Sequence, residues 1–273
     1  MMRILNDDDR EKVMEYLERN HIETTFLIGN VTEFGLENDN EKRRCGDYYG
    51  YFEDGKLKGV LPFYNLGSCI PHYESEGAVD AFSKIMKERR FETLLGMERI
   101  VKPLYERIKD YKIIHTCSDD SYFINKRFKP FYVEGAVFKD ALDYDIDKVV
   151  EFIITANKNG FGREMDREMA IKQLTQRGKE EDFIFLIKNG RIVAQANIQA
   201  YTSKINQIGG VFTLEEERSK GYCKAIVSEL CRRIVARGKV PTLMVRKNNT
   251  PAVRAYKALG FDFYDDYLII EFL

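Results

Sequence analysis

Apolar and polar residues alternate on both sides of an Asx-Gly pair at two places in the chain. One is Tyr49-Gly-Tyr-Phe-Glu-Asp-Gly-Lys-Leu-Lys-Gly-Val60; the other is Ile184-Phe-Leu-Ile-Lys-Asn-Gly-Arg-Ile-Val-Ala-Gln195. Period-two alternation makes strands, and Asp54-Gly55 and Asn189-Gly190 tolerate the positive φ angles of a type I′ hairpin turn. Helical periodicity precedes each hairpin, over Asp8 to Arg19 in the first case and over Asp145 to Asn157 and Arg163 to Arg177 in the second. The pattern predicts two related halves, each ordered helix, hairpin, strand, helix, strand, helix, strand. The strand-like Phe131-Tyr-Val-Glu-Gly-Ala-Val-Phe138 gives way to the polar Asp143-Tyr-Asp-Ile-Asp147, which puts a boundary near residues 129–147 and divides the chain into 1–138 and 139–273.

The second half then changes period in an informative way. A strand over Ile208 to Thr213 leads through an acidic turn into Arg218-Ser-Lys-Gly-Tyr-Cys223. Ile226, Leu230 and Ile234 follow at helical spacing beside Val227, Cys231 and Val235, and Gly238 suits the end of that helix. A strand, a Gly-containing loop and a helix N-terminus in succession form an anion site, because the first-turn amides lack internal acceptors and the helix dipole is positive there. An ordinary turn with solvated charges reads the same in this loop alone. The next strand, Thr242 to Val245, enters a short helix with Thr250 as expected N-cap, Pro251 at its first position and Gly260 at its end. Asn249 stands just ahead of that helix, with Tyr256 about two turns further on.

Composition narrows the classes. The 273 residues suffice for two ordinary domains, and the balance of 43 basic against 44 acidic residues gives no reason to expect nucleic acid or an anionic membrane as partner. No apolar stretch approaches the ~20 residues of a membrane span, and the polar Met-Met-Arg-Ile-Leu-Asn-Asp-Asp-Asp start lacks a secretory h-region. Cys45, Cys69, Cys117, Cys223 and Cys231 form no CxxC, and His21, His72 and His115 are scattered. A disulfide framework, a zinc site or any other metal centre is therefore not expected, and a cytoplasmic setting is. Neither a GxxxxGK nor a GxGxxG motif is present, which disfavours nucleotide kinases and dinucleotide enzymes.

Arg218, Gly221, Asn249, Ala252, Tyr256, Gly260 and Phe261 reproduce an order, Arg-x-x-Gly, helix, strand, Asn-x-x-Ala-x-x-x-Tyr-x-x-x-Gly-Phe, that resembles the GNAT superfamily of N-acetyltransferases. Gly209-Gly-Val-Phe-Thr213 with Glu216 and Arg218 is similar to the tandem subgroup whose N-terminal half is degenerate. The match covers roughly residues 140–273 well and the first half loosely. The resemblance implies an α/β (α+β) fold of two tandem GNAT-like domains, each a mixed, mostly antiparallel sheet flanked by helices. It implies acetyl-CoA as acyl donor, with Val211, Phe212 and Thr213 pairing with the pantetheine arm. Amides of Arg218, Ser219, Lys220, Gly221, Tyr222 and Cys223 would cradle the pyrophosphate, and Asn249 would bond the arm. Cys223 stands where the family usually has Gly or Ala, and reads as a small buried residue rather than a reactive thiol.

The family transfers acetyl directly to an amine. By resemblance Tyr256 is the acid that protonates the departing thiolate, and an amide of Val211 or Phe212 steadies the oxyanion. Glu216, in the run Glu215-Glu-Glu217, is the expected base, although a solvated acidic turn reads the same. The first half has Pro71-His-Tyr-Glu-Ser-Glu-Gly-Ala78 where the loop would fall, and its Glu98 and Tyr105 only echo Asn249 and Tyr256. It is expected to bind no cofactor and to shape an acceptor site or a homodimer interface. The acceptor would be a small-molecule or peptide amine. The alternatives are a non-catalytic acyl-CoA sensor of the same fold, and an aminoacyl transferase using charged tRNA, which would need a basic groove. Asn157-Lys-Asn-Gly-Phe-Gly-Arg163 is a candidate lid over the acceptor, or a plain connection.

Overall fold

Both Asx-Gly pairs turn hairpins: φ is +48° and +73° at Asp54 and Gly55, and +52° and +74° at Asn189 and Gly190. The computed structural model describes residues 1–177 and 183–273. Its first half runs β1 (Met2–Ile4), α1 (Arg10–Arg19), α2 (Thr25–Phe34), β2 (Gly46–Glu53), β3 (Lys56–Tyr64), β4 (Ser68–Cys69), β5 (His72–Tyr73), α3 (Glu76–Glu88), β6 (Thr93–Met97), α4 (Glu98–Ile108) and β7 (Ile114–Ile124). The second runs β8 (Val137–Asp140), α5 (Ile146–Phe161), α6 (Arg167–Arg177), β9 (Phe183–Lys188), β10 (Arg191–Tyr201), β11 (Ile205–Thr213), α7 (Tyr222–Ala236), β12 (Val240–Arg246), α8 (Thr250–Ala258) and β13 (Asp262–Phe272). The two halves repeat one order of elements, apart from the extra short strand β5.

The described strands form a sheet ordered β1-β2-β3-β5 and a nine-stranded sheet ordered β4-β6-β13-β7-β12-β11-β10-β9-β8. In the larger sheet the final strands of the halves change places. β13 lies between β6 and β7, and β7 lies between β13 and β12. The ladder between β7 and β13 runs from Ile124–Asp262 to Ile114–Phe272. Its seam is filled by Met97, Ile100, Tyr122 and Tyr267, all buried, with Tyr122 stacked on Tyr267 at 6.2 Å. The division at 138/139 therefore falls inside β8, and the sheet is shared across it.

Three local expectations need correction. Residues 131–136 are irregular, and only 137–140 pair as a strand. Residues 157–161 are the last turns of α5 rather than a loop. The Asn157 side-chain Nδ2 donates back to the Ile153 carbonyl at 2.9 Å, Gly162 closes the helix at φ +62°, and Gly160 fits because a Cβ there would stand 2.5 Å from the Phe212 ring. The second helix consequently starts at Arg167, not Arg163. In α8 the cap is Asn249, not Thr250, since the Asn249 carboxamide oxygen accepts the Ala252 amide at 3.3 Å.

α7 covers one face of the second-half sheet, packing Ile226, Leu230 and Ile234 among Ile184, Ile198, Ile208 and Leu243. α5 covers the other, where Phe152 contacts the rings of Phe185 and Phe212.

Candidate functional site

β11 and β12 are parallel and pair only from Ile205–Val240 to Ile208–Leu243. Beyond that point they part. β12 continues along β7, from Met244–Tyr122 to Arg246–Asp120, while β11 stays on β10 as far as Thr213–Ala194. Among the described residues, the β12 side of 209–213 has no strand partner. Unpaired strand backbone is a template for a ligand carrying its own amides. The divergence coincides with an irregularity opposite Ala196, where Gly210 adopts φ +59°. The Thr213 hydroxyl at this end of β11 is buried and has no partner among the described residues.

A 3₁₀ turn, Glu215–Glu217, connects β11 to the loop before α7. Ser219 and Gly221 take positive φ, +66° and +85°, and Gly221 is the N-cap of α7 without any side chain capping the helix. The first-turn amides are thus left to solvent or to an anion, with the helix dipole behind them. Arg218 and Lys220 fold back onto Glu215 and Glu217 at 3.4 and 2.9 Å. Both pairs are exposed, so a bound polyanion can draw the cations away at small cost. The Tyr222 side chain is buried in the core under α7, leaving only its backbone for the loop. Lys224 lies 4.0 Å from the centre of the Phe131 ring, and the Phe131 amide donates to Ser228 Oγ at 2.9 Å. The connection between the halves therefore lies against this loop, and a Cβ on Gly221 would meet Phe131 at 3.2 Å.

α8 brings Tyr256 to the same place. Its ring is buried beside Phe261, and its hydroxyl interacts with the Cys223 thiol in the first turn of α7. Burial, reinforced by Cys223, raises the Tyr256 pKa well above its ordinary value. Burial also pushes the Cys223 thiol up to about 11. Cys223 is accordingly a protonated, packed side chain, and Tyr256 a phenol that carries its proton at neutral pH. Asn249 is exposed at the start of α8, with its carboxamide oxygen committed to capping and its amide nitrogen left over.

Glu216 lies elsewhere in character. Its carboxylate is exposed and paired with Arg191 at 2.6 Å. Its own backbone and Arg191 hold its pKa below the ordinary range. That direction is wrong for a general base at neutral pH.

The equivalent place in the first half is closed. At the start of α3, Ser75 caps the helix by accepting the Gly77 amide, and its hydroxyl bonds Glu53 at 2.5 Å. Tyr51 donates to the same carboxylate at 2.9 Å, and a Cβ on Gly77 would lie 2.3 Å from the Tyr51 hydroxyl. An anion would meet a capped helix and a carboxylate.

Two features near the site were not singled out from the sequence. One is Phe131, which lies in the irregular stretch 131–136 and not in a strand. The other is the polar series Gln195, Asn197 and Gln199 along β10. Its period-two spacing inside the apolar run Ile192 to Ala200 was a readable signal of one polar sheet face.

Residues 184–270 match the family model described as FR47-like protein. No curated protein matches the chain. A GNAT-family acetyltransferase from Colwellia psychrerythraea shares the fold at 11% identity and a TM-score of 0.62, covering 100% of both chains. A GCN5-related N-acetyltransferase from Sphaerobacter thermophilus does so at 14% identity and 0.63, covering 99% of this chain and 94% of that one. A tandem GNAT protein from the clavulanic acid biosynthesis pathway gives 11% and 0.60, with 99% and 97% covered. The chain thus shares the fold of these GNAT acetyltransferases along its whole length, and its second half is similar to the FR47-like family.

Proposed function

We propose that the second half binds acetyl-CoA and transfers its acetyl group directly to a primary amine. The carrying observation is that β11 and β12 part beside the uncapped N-terminus of α7. The residues present fit the group. Unpaired backbone of Val211, Phe212 and Thr213, with the orphaned Thr213 hydroxyl, suits the amide-bearing pantetheine arm. Amides from Arg218 to Cys223 suit its pyrophosphate, and the free Asn249 amide nitrogen suits a carbonyl of the arm. When bound, acetyl-CoA supplies an activated thioester.

The chain's own part is to hold and move protons. The amine attacks as free base, because an alkylammonium near pKa ~10 has no lone pair to offer. A C–N bond forms to the acetyl carbon and the C–S bond breaks. Tyr256 gives its proton to the sulfur, and the proton lost by the amine returns to Tyr256 through water. An amide at Val211 or Phe212 steadies the negative charge on the acetyl oxygen. Water, rather than Glu216, is the carrier that the electrostatics favour. The capped loop of the first half leaves one coenzyme site per chain. Colocation with a cytosolic amine pool fits the free thiols, and no described helix is long and apolar enough to cross a membrane.

Calorimetry with coenzyme A and acetyl-CoA tests this on the wild type and Gly221→Glu. One saturable site, lost in a variant with unchanged circular dichroism, is the expected result. Absence of binding to either ligand by the wild type would return the chain to a fold without a cofactor.

A further inference from the structure

The face of β10 and β11 under α5 carries an unusual group of polar side chains. Gln195 pairs across the sheet with both Phe185 and Phe212, and Asn197 with Phe183 and Gly209, so all of them share that face. Gln195 is 3% exposed and Asn197 4%. The Gln195 amide nitrogen donates to the Gly210 carbonyl at 3.3 Å, which leaves its Oε1 pointing away. That Oε1 and the Asn197 Oδ1 are buried and have no hydrogen-bond partner among the described residues.

The glycines beneath are shaped to this group. A Cβ on Gly210 would stand 2.4 Å from Asn197 Oδ1, and one on Gly209 would stand 2.1 Å from Gln199 Oε1. Gly209 and Gly210 are also the first residues of β11 after its pairing with β12 ends. The two orphaned carbonyl oxygens therefore lie at the start of the divergence, on the sheet face opposite α7. A buried acceptor without a donor is costly to the fold. Two such acceptors on one face at this place suit a ligand bearing more than one N–H.

We propose that Gln195 Oε1 and Asn197 Oδ1 form the seat of the acceptor's amino group. This rests on the acetyl-transfer function proposed above and adds the recognition of its second substrate. Carboxamide oxygens carry no net charge. They accept N–H bonds from an amine and stabilise its ammonium form less than a carboxylate would, which costs the free base less at this seat. Gln199, half-buried at the end of the row, faces the remainder of the acceptor.

Gln195→Met and Asn197→Leu keep side-chain size and remove the oxygens. The probe is ethylamine, which presents the amino group alone, with thiol release from acetyl-CoA as the rate and calorimetry for acetyl-CoA affinity. The expected result is a KM for ethylamine raised about fivefold to tenfold in each variant, with acetyl-CoA affinity and kcat near wild type. Thermal stability should be unchanged or higher, because an orphaned polar atom has gone. Unchanged KM in both folded variants would overturn the assignment, as would a wild type that binds acetyl-CoA but shows no ethylamine-dependent turnover. A wild type that fails to bind acetyl-CoA would instead remove the function beneath it.

Discussion

Tyr256 of α8 meets Cys223 in the first turn of α7, so the proposed acid and the proposed phosphate loop are packed as one unit. Tyr256→Phe keeps the buried ring and removes only the hydroxyl. Its rate of thiol release should fall by about 10²-fold or more, the usual contribution of a positioned proton donor. Coenzyme A affinity measured by calorimetry should hold. Cys223→Ala, in contrast, should leave turnover close to wild type and cost about 1 kcal/mol in denaturant unfolding, because the thiol is packed and protonated. A large loss of rate with alanine at 223 would assign the thiol a chemical role.

The loop itself depends on Gly221. Its φ of +85° is one that side-chain-bearing residues rarely adopt, and a Cβ would press on Phe131 at 3.2 Å. Gly221→Ala should destabilise by about 1 kcal/mol or more and weaken coenzyme A binding, since the first-turn amides would turn with the strained backbone. Pairing it with Phe131→Ala, which clears the ring, should restore part of the stability and little of the affinity. Thermal melts with and without coenzyme A separate the two effects.

A second network joins the halves and makes stability depend on pH. Glu23 accepts from His72 at 3.0 Å and from Tyr264 at 2.9 Å, and Arg99 pairs with it as well. Burial opposes its ionisation, yet the hydrogen bond and charge of His72, then Arg99 and Tyr264, bring its pKa to about 2, from an ordinary 4.5. A depressed carboxyl pKa stabilises the fold fully above the ordinary value and loses that contribution as pH falls towards 2. Glu23→Gln should therefore be less stable than wild type at pH 7, with the gap closing between pH 4.5 and 2. A gap independent of pH in urea titrations would show that the carboxylate charge is not what matters.

Much of this was legible in the sequence where a residue does one local thing. Asp54-Gly55 and Asn189-Gly190 announced their turns, and Gly238 and Gly260 their helix ends, because positive φ is a local demand. Thr250 misled for the same reason: Asn249 and Thr250 are both capping residues, and only the observed bond to Ala252 chooses between them. Residues 157–161 looked like a loop since Asn and Gly are poor helix formers, but packing of Gly160 on Phe212 outweighs propensity. Glu216 was drawn to the chemistry by its position in the chain, and Arg191, distant in sequence, draws it to the surface. The exchange of β7 and β13 left no trace in either strand, because a buried strand has the same composition whichever neighbour it pairs with.

That exchange makes its own demand on the chain. In an isolated 139–273 fragment, β12 would lose β7, and β13 would lose both β6 and β7, its partners in the sheet. An isolated 1–138 fragment would leave β6 and β7 without the strand that lies between them. Open, apolar strand edges pair indiscriminately. Each fragment alone should therefore aggregate or remain unfolded, although 139–273 lacks only the first two residues of β8 from its own half. Coexpressed from separate genes, the two should recover as a soluble one-to-one complex that binds one coenzyme A. Size-exclusion chromatography, circular dichroism and calorimetry on the fragments give the answer. A monomeric 139–273 with native spectrum and undiminished coenzyme A affinity would show that the shared strands are dispensable, and that each half is a domain in the energetic sense.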